Sequence, residues 1–391
     1  MNRYFNHSYR ISKISRSFHA FRKPKHLKLN YREPDNWNNC NKREIHPFWF
    51  IGKTIAQLSA IIGGRFTRKW YAKLSPEKKK ELWKRFTWNR VGAAVAILSG
   101  GAFANYVYHT EEDPITKRKR FIAVTDDQLQ RLVQVETDQI LEAKKGEILG
   151  SEHPAYDKVI SIANTIINRN QDIPLLRNQK WKIYITKSPD VNAMVLPNGN
   201  IFVEGGLIDL VGYGDELAFV LSHEIAHAVL KHSAEKISYA MLLDIMIITV
   251  MAFLWLFIPS DGIALISQWF YRRVVDIFMH LPYDRKLEEE ADEVGLWLAA
   301  KACFDVRKGS NFWTIMSMLQ KEENTEIPEW LSTHPANLKR QENLDVLMPA
   351  AIETRKACNC FPLSKNDPRI QLRMAKSLDE ISKEISNPLA K

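Results

Sequence analysis

Apolar residues along most of this chain recur at helical spacing, and only a few short segments alternate as strands do. From residue 125 onward the pattern is globular. Leu129, Leu132, Val133, Val135, Ile140 and Leu141 mark one face of an amphipathic helix, and Thr125 with Gln128 forms a capping box at its start. A second helix is predicted near 156–169, with Val159, Ile162, Ala163 and Ile166 on one face. The run "WKIYIT" at 181–186 reads as a strand, and "NAMVLPNGNIFVEGGLI" at 192–208 as a hairpin whose tight turn is Asn198-Gly199. Helices fill most of the remainder, so the expected class is mainly α with a small β-sheet, an α+β fold. The segment 371–391 is a polar tail.

One stretch has a different pattern. "VGAAVAILSGGAFANYVY" at 91–108 carries no charge, and as a helix it is about 27 Å long, close to the thickness of a bilayer's hydrocarbon core. A transmembrane helix is therefore expected there. Trp88 and Arg90 flank one end, and Tyr106, Tyr108 and His109 the other, as interfacial anchors. Its small residues, including Gly92, Gly100 and Gly101, imply close packing against a second helix.

Charge adds direction to this picture. The 391-residue chain carries a formal net charge of +10, and residues 1–32 contain no Asp or Glu among recurring Arg, Lys, Ser and aromatic residues. That composition predicts a mitochondrial presequence over 1–40. Residues 41–90 mix bases with "HPFWF", Trp70, Trp83, Phe86 and Trp88, a pattern suited to a membrane interface on the matrix side. Bases crowd before the 91–108 span and Glu111, Glu112 and Asp113 follow it. The positive-inside bias then puts the N-terminal side in the matrix and the rest in the intermembrane space, although "KRKR" at 117–120 runs against it. Because basic charge is concentrated in the first ninety residues, nucleic acid is not an expected partner. Of Cys40, Cys303, Cys358 and Cys360, none has CxxC spacing, which excludes a zinc ribbon or thioredoxin motif. Cys358 and Cys360 are too close to pair easily. One of them is able to bridge to Cys303 in an oxidising space, the alternative being free buried thiols.

The chemistry is concentrated in "LSHEIAHAVLKH" at 221–232. His223 and His227, four apart on a helix, lie on one face within reach of a single ion, and Glu224 beside them is placed to take a proton from an attacking water. The surrounding apolar residues would bury both imidazoles, a cost that a shared Zn²⁺ offsets. A catalytic zinc takes three protein ligands. His232 falls half a turn off the ligand face if the helix continues, so the third ligand is expected from another element. In "RKLEEEADEVG" at 285–295, helical projection sends Leu287, Ala291, Val294 and Leu298 to a core. Glu288 lies on a stripe of small residues (Ala291, Gly295, Ala299) that lets a second helix approach, with Asp292 one turn on to accept a ring N–H. Glu288 is thus the expected ligand, and Glu289 and Glu290 are expected as surface acids. The segment 241–258 is apolar, but a single crossing there would separate Glu288 from His223. A helical hairpin over 241–280, dipping into or resting on the bilayer, is expected instead.

"HEIAH", "RKLEEEAD" and "STHPANLKR" at 332–340 resemble the gluzincin group that includes HtpX-type and CAAX prenyl endopeptidases. The likeness is closer still to its mitochondrial inner-membrane branch, whose activity overlaps that of the m-AAA protease, and covers roughly 120–370. The resemblance implies a zinc metallopeptidase domain over 120–370, with one Zn²⁺ per chain on His223, His227 and Glu288, and Glu224 as base. It also places His334 and Arg340 by the site. His334 would steady the oxyanion and Arg340 would tie acidic groups in place, the alternative for both being a structural loop. Membrane-anchored proteins, among them a dynamin-like fusion GTPase, are the implied substrates, with inner-membrane lipid and a second copy of the chain as further partners. No GxxxxGK[ST] loop is present, so cleavage is expected to be ATP-independent. A catalytically silent membrane scaffold of the same fold is the competing reading. The family's Ser-Arg is replaced by Asp284-Arg285, and Asp284 is expected to cap the helix as Ser would.

Overall fold

The computed structural model describes residues 48–85, 88–275, 281–320, 330, 331, 334, 338–374 and 377. The expected presequence at 1–40 and most of the tail at 371–391 lie outside them. In chain order the elements are helices α1 (Phe48–Lys73), α2 (Pro76–Arg85) and α3 (Trp88–Tyr108), strands β1 (Thr110–Glu112) and β2 (Lys119–Phe121), helices α4 (Asp126–Ala143), α5 (Pro154–Arg169) and α6 (Pro174–Asn178), strands β3 (Lys182–Thr186), β4 (Ala193–Val195) and β5 (Asn200–Glu204), then helices α7 (Gly205–Val211), α8 (Asp215–Val229), α9 (His232–Phe257), α10 (Asp261–Val275), α11 (Leu281–Lys301), α12 (Arg307–Leu319) and α13 (Leu338–Ala357). The α+β expectation is met in this coarse form. The chain divides into two compact units.

The first unit takes in 132–232 and 285–391. Its sheet has the order β3-β5-β4. β5 runs parallel to β3, and β4 folds back on it antiparallel with Ala193 opposite Val203 and Val195 opposite Ile201. The predicted hairpin is there, closed by the four residues 196–199. Gly199 takes φ +85°, which its lack of a Cβ permits, and the Leu196 N–H donates to the Asn200 carbonyl. All five residues of β5 are buried. So is every residue of α8 from Leu217 to Val229, which makes this helix the centre of the core. Leu287, Ala291, Val294 and Leu298 of α11 are fully buried, as their spacing predicts. Gly295 lets α11 approach α8 closely: a Cβ there would lie 2.8 Å from the Cα of His223 and 2.9 Å from its backbone nitrogen. Cys303 is joined to Cys360, leaving the Cys358 thiol free. Closing a loop across 57 residues stabilises the fold by about 4 kcal/mol on a chain-entropy estimate.

The second unit takes in 38–131 and 233–284. α9 and α10 occupy most of the stretch expected as a hairpin over 241–280, whose residues 276–280 lie outside the described ones. Among the described residues, α9 is the one helix long and apolar enough to cross a membrane. Ile245, Phe253, Phe257, Ile263, Leu265, Ile266, Trp269 and Phe270 stand exposed along the two arms. α1 lies along α9, with Lys53 Nζ 2.6 Å from Asp244 near one end and Arg68 paired with Asp261 and the Ile258 carbonyl at the other. Between them a Cβ on Gly64 would meet Trp255 Cβ at 2.9 Å. α3 covers the uncharged stretch 91–108, and Ile97, Phe103 and Val107 are exposed on it. The close packing expected through its glycines is not found: a Cβ on Gly92, Gly100 or Gly101 would meet nothing within 4 Å. The helix contact that needs a glycine in this unit uses Gly64 instead.

Two of the four bases of "KRKR" are neutralised within the fold. Arg118 makes a two-pronged pair with Glu235 at 2.5 and 2.6 Å, and Arg120 binds Asp113 at 2.5 Å and Glu111 at 2.8 Å. The capping box is reciprocal: the Thr125 N–H donates to Gln128 Oε1 at 3.1 Å and the Gln128 N–H to Thr125 Oγ1 at 3.3 Å. α11 begins three residues before Asp284, so that residue lies within the first turn and does not cap the helix. An acid there still favours the positive end of the helix dipole, and Asp284 Oδ1 is 3.7 Å from Lys236 Nζ.

Candidate active site

α8 presents His223 and His227 on one face because four residues make roughly one turn. Their Nε2 atoms are 3.1 Å apart. Glu288 reaches in from α11, with Oε2 3.5 Å from His223 Nε2 and Oε1 3.5 Å from His227 Nε2. His334 joins them, so that ligand atoms from all four residues lie within 4.8 Å of one another. His223, Glu224, His227 and Glu288 are buried.

This donor set can be tested against a zinc ion. Bonds of about 2.0–2.1 Å at tetrahedral angles put ligand atoms about 3.3–3.4 Å apart. The 3.1 Å between the two imidazole nitrogens, and the 3.5 Å from each of them to one or the other Glu288 oxygen, lie near that figure. Glu288 Oε1 is buried and has no hydrogen-bond partner among the described residues. A buried carboxylate oxygen without a donor is costly, and a cation between it and the two imidazoles removes the cost. The residues fit the ion that the sequence implies.

Supporting groups hold this cluster from behind. Asp292 Oδ1 is 3.0 Å from His223 Nδ1. Arg340 grips Asp292 through Nε at 2.6 Å and Nη2 at 2.8 Å, reaches Glu288 Oε2 through Nη1 at 3.0 Å, and lies 3.9 Å over the Trp313 ring. Burial works against the charged form of Asp292, but Arg340 and His223 outweigh it and hold the carboxyl below its usual range. Burial likewise opposes protonation of His223, yet Asp292 and Glu288 prevail and raise it to about 9. His227 goes the other way: burial lowers it to about 3, with Glu288 only partly opposing. The two facing imidazoles thus differ widely in proton affinity, because one has a carboxylate at its back and the other does not.

His334 lies across Glu288 and Glu224. Its Nδ1 is 2.8 Å from Glu288 Oε2, and its Nε2 is 3.3 Å from Glu224 Oε1. Sequence reasoning gave no role to Trp330, which is fully buried. Its indole N–H donates to Glu224 Oε1 at 3.2 Å, its ring stacks on His334 at 4.7 Å, and its backbone N–H donates to the Val191 carbonyl at 3.1 Å, just before edge strand β4. The nearest sequence signal was its place four residues before His334 in "PEWLSTHP".

Two expectations need correction. Helix α8 does not continue to His232. It stops at Val229, Lys231 takes φ +52°, and His232 opens α9. This turn sets His232 behind His227, Nδ1 to Nδ1 at 2.9 Å, on the side away from the other ligand atoms. Glu290, expected as a surface acid, is only 7% exposed because its neighbour is His232, with Oε2 3.6 Å from Nε2. Glu289 is exposed, as expected.

Residues 157–347 match peptidase family M48. The metalloendopeptidase OMA1, mitochondrial, of Bos taurus is 39% identical over 341 residues, covering 86% of this chain and 65% of the relative. That of Danio rerio is 37% identical over 327 residues, 82% of this chain and 68% of the relative. The mitochondrial metalloendopeptidase OMA1 of Schizosaccharomyces pombe is 31% identical over 278 residues, covering 71% and 77%. The chain thus spans about 65% of the length of the mammalian relatives it matches. The family match over 157–347 and the identity held over most of the chain lead to one assignment: the chain belongs to peptidase family M48, with the mitochondrial OMA1 metalloendopeptidases among its relatives.

Proposed function

We propose that this protein is a zinc-dependent, ATP-independent endopeptidase of the mitochondrial inner membrane that cleaves membrane-anchored proteins. The observation that carries the reading is the meeting of His223 Nε2, His227 Nε2 and Glu288 at zinc-ligand spacing, with Glu224 alongside. His223, His227 and Glu288 would hold one Zn²⁺, which supplies Lewis-acid polarisation of the scissile carbonyl and of the attacking water.

The remaining work belongs to the chain. Glu224 takes the proton of the attacking water and returns it to the leaving amine, as a general base and then a general acid. Trp330 fixes the Glu224 carboxylate for that transfer through its indole N–H. His334, beside both carboxylates, steadies the negative charge that develops on the carbonyl oxygen. β4 lies at the edge of its sheet and offers its outer side to an extended peptide. Replacing Trp330 with Phe keeps the packing and removes the donor. A hydrogen bond to a charged group is worth about 1.5–3 kcal/mol, so kcat falls about tenfold or more with zinc content unchanged. Steady-state kinetics beside metal analysis checks this.

Membrane placement rests on the exposed apolar residues of α9 and α10, on the uncharged stretch 91–108 of α3, and on the acid-free first 32 residues. The relatives are named mitochondrial, which supports the compartment. We take the catalytic side to be the intermembrane space, from the bases that precede α3 and the acids that follow it. Purified protein should cleave casein without ATP, lose that activity to a zinc chelator and regain it with added Zn²⁺. Cleavage that persists in chelator, with zinc shown to be absent, would overturn the reading.

A further inference from the structure

We propose that His232 and Glu290 form a positioning relay that fixes the tautomer and orientation of His227, so that the two ligand imidazoles are held by different devices. The inference rests on the zinc reading above. The Nε2 of His227 faces the ligand cluster, 3.1 Å from His223 Nε2 and 3.5 Å from Glu288 Oε1. A neutral imidazole carries one N–H, so a ring that offers its Nε2 lone pair to an ion holds its proton on Nδ1. That proton points at His232 Nδ1, 2.9 Å away in a buried contact. His232 must then present a lone pair at Nδ1, which places its own proton on Nε2, the nitrogen that faces Glu290 Oε2 at 3.6 Å. The order is Glu290 carboxylate, His232 imidazole, His227 imidazole, ion; the inner link is a hydrogen bond at 2.9 Å and the outer one an electrostatic contact at 3.6 Å, longer than a hydrogen bond.

His223 obtains the same support directly from Asp292 at 3.0 Å. Behind His227 the neighbour is His232 instead of a carboxylate: α8 ends two residues later and the chain turns at Lys231. That turn is what brings His232 behind His227. His232 is 1% exposed and Glu290 7%, so water does not compete for either contact. Groups of this kind raise the basicity of a ligand histidine, and losing one costs about 10–100-fold in metal affinity.

The test is a zinc competition titration of the full chain against a chromophoric chelator. His232→Ala weakens zinc binding about 10–100-fold. His232→Asn, whose Oδ1 accepts at the place of Nδ1, restores affinity to within about threefold of wild type. Glu290→Gln, which loses the charge and keeps the shape, falls between the two. A merely structural role would show as equal losses in the Ala and Asn variants, or as no change in zinc affinity in either, and both results would overturn the relay. Failure of the wild-type chain itself to bind zinc would overturn the zinc reading together with the relay. Zinc bound by wild type and equally well by His232→Ala would overturn the relay alone.

Discussion

Glu224→Gln lowers casein cleavage by about 10²–10⁴-fold and leaves zinc binding at wild-type level. The size follows from what Gln can and cannot do at this position. Its Oε1 still accepts the Trp330 indole N–H, which lies 3.2 Å from the Glu224 oxygen, so the buried donor keeps a partner and the fold keeps its packing. Gln cannot take the proton of the attacking water, and no other carboxylate replaces it. Glu288 is committed to the imidazoles and to Arg340, and Asp292 to Arg340 and His223. Metal analysis run beside a peptide-cleavage assay separates the two readings of the chain. Equal cleavage by wild type and variant, with zinc in both, would leave a metal-binding scaffold whose proteolysis comes from a contaminant.

The parts of this site that follow a period were legible in the sequence. HExxH places two imidazoles on one face whatever the tertiary context, and the apolar spacing of α11 turned Leu287, Ala291, Val294 and Leu298 inward and so oriented Glu288. The stripe of small residues was also readable, and Gly295 meets the backbone of His223 as the stripe implied. Where a helix breaks without a Gly or Pro, local pattern gave no warning. Lys231 takes a left-handed conformation that sequence disfavours, and this turn moves His232 from a helix flank to the back of His227. Glu290 followed His232 into the interior, because its burial depends on a partner in another element. Trp330 was missed for the same reason: its contact with Glu224 joins residues 106 apart. The glycines of α3 misled in the opposite sense, since small residues permit close packing without requiring a neighbour.

Glu288→Gln should abolish tight zinc binding, with affinity down more than about 100-fold, beyond what a supporting group costs. Glu289→Gln, on the exposed side of the same helix, should bind zinc as wild type does. The amide is nearly isosteric but uncharged, so the ion loses one anionic ligand, and Arg340 loses one of the two carboxylates that it pairs with at 2.6–3.0 Å. The same variant has a second signature in chelator-treated protein. His223 is raised from 6.5 to about 9 in the folded state, against burial, by Asp292 and Glu288. A group whose proton affinity rises on folding stabilises the fold fully below its unfolded value, near 6.5, and that contribution is lost as pH climbs through about 9. Melting temperatures of metal-free wild type should therefore fall between pH 6.5 and 9.5, and Glu288→Gln, which keeps only Asp292 behind His223, should show a shallower fall over that window. A Glu288→Gln protein that retained zinc at wild-type affinity would remove the third ligand from the site. If Glu289→Gln lost zinc instead, the helix would have to present a different face to α8 than the contact between Gly295 and His223 allows.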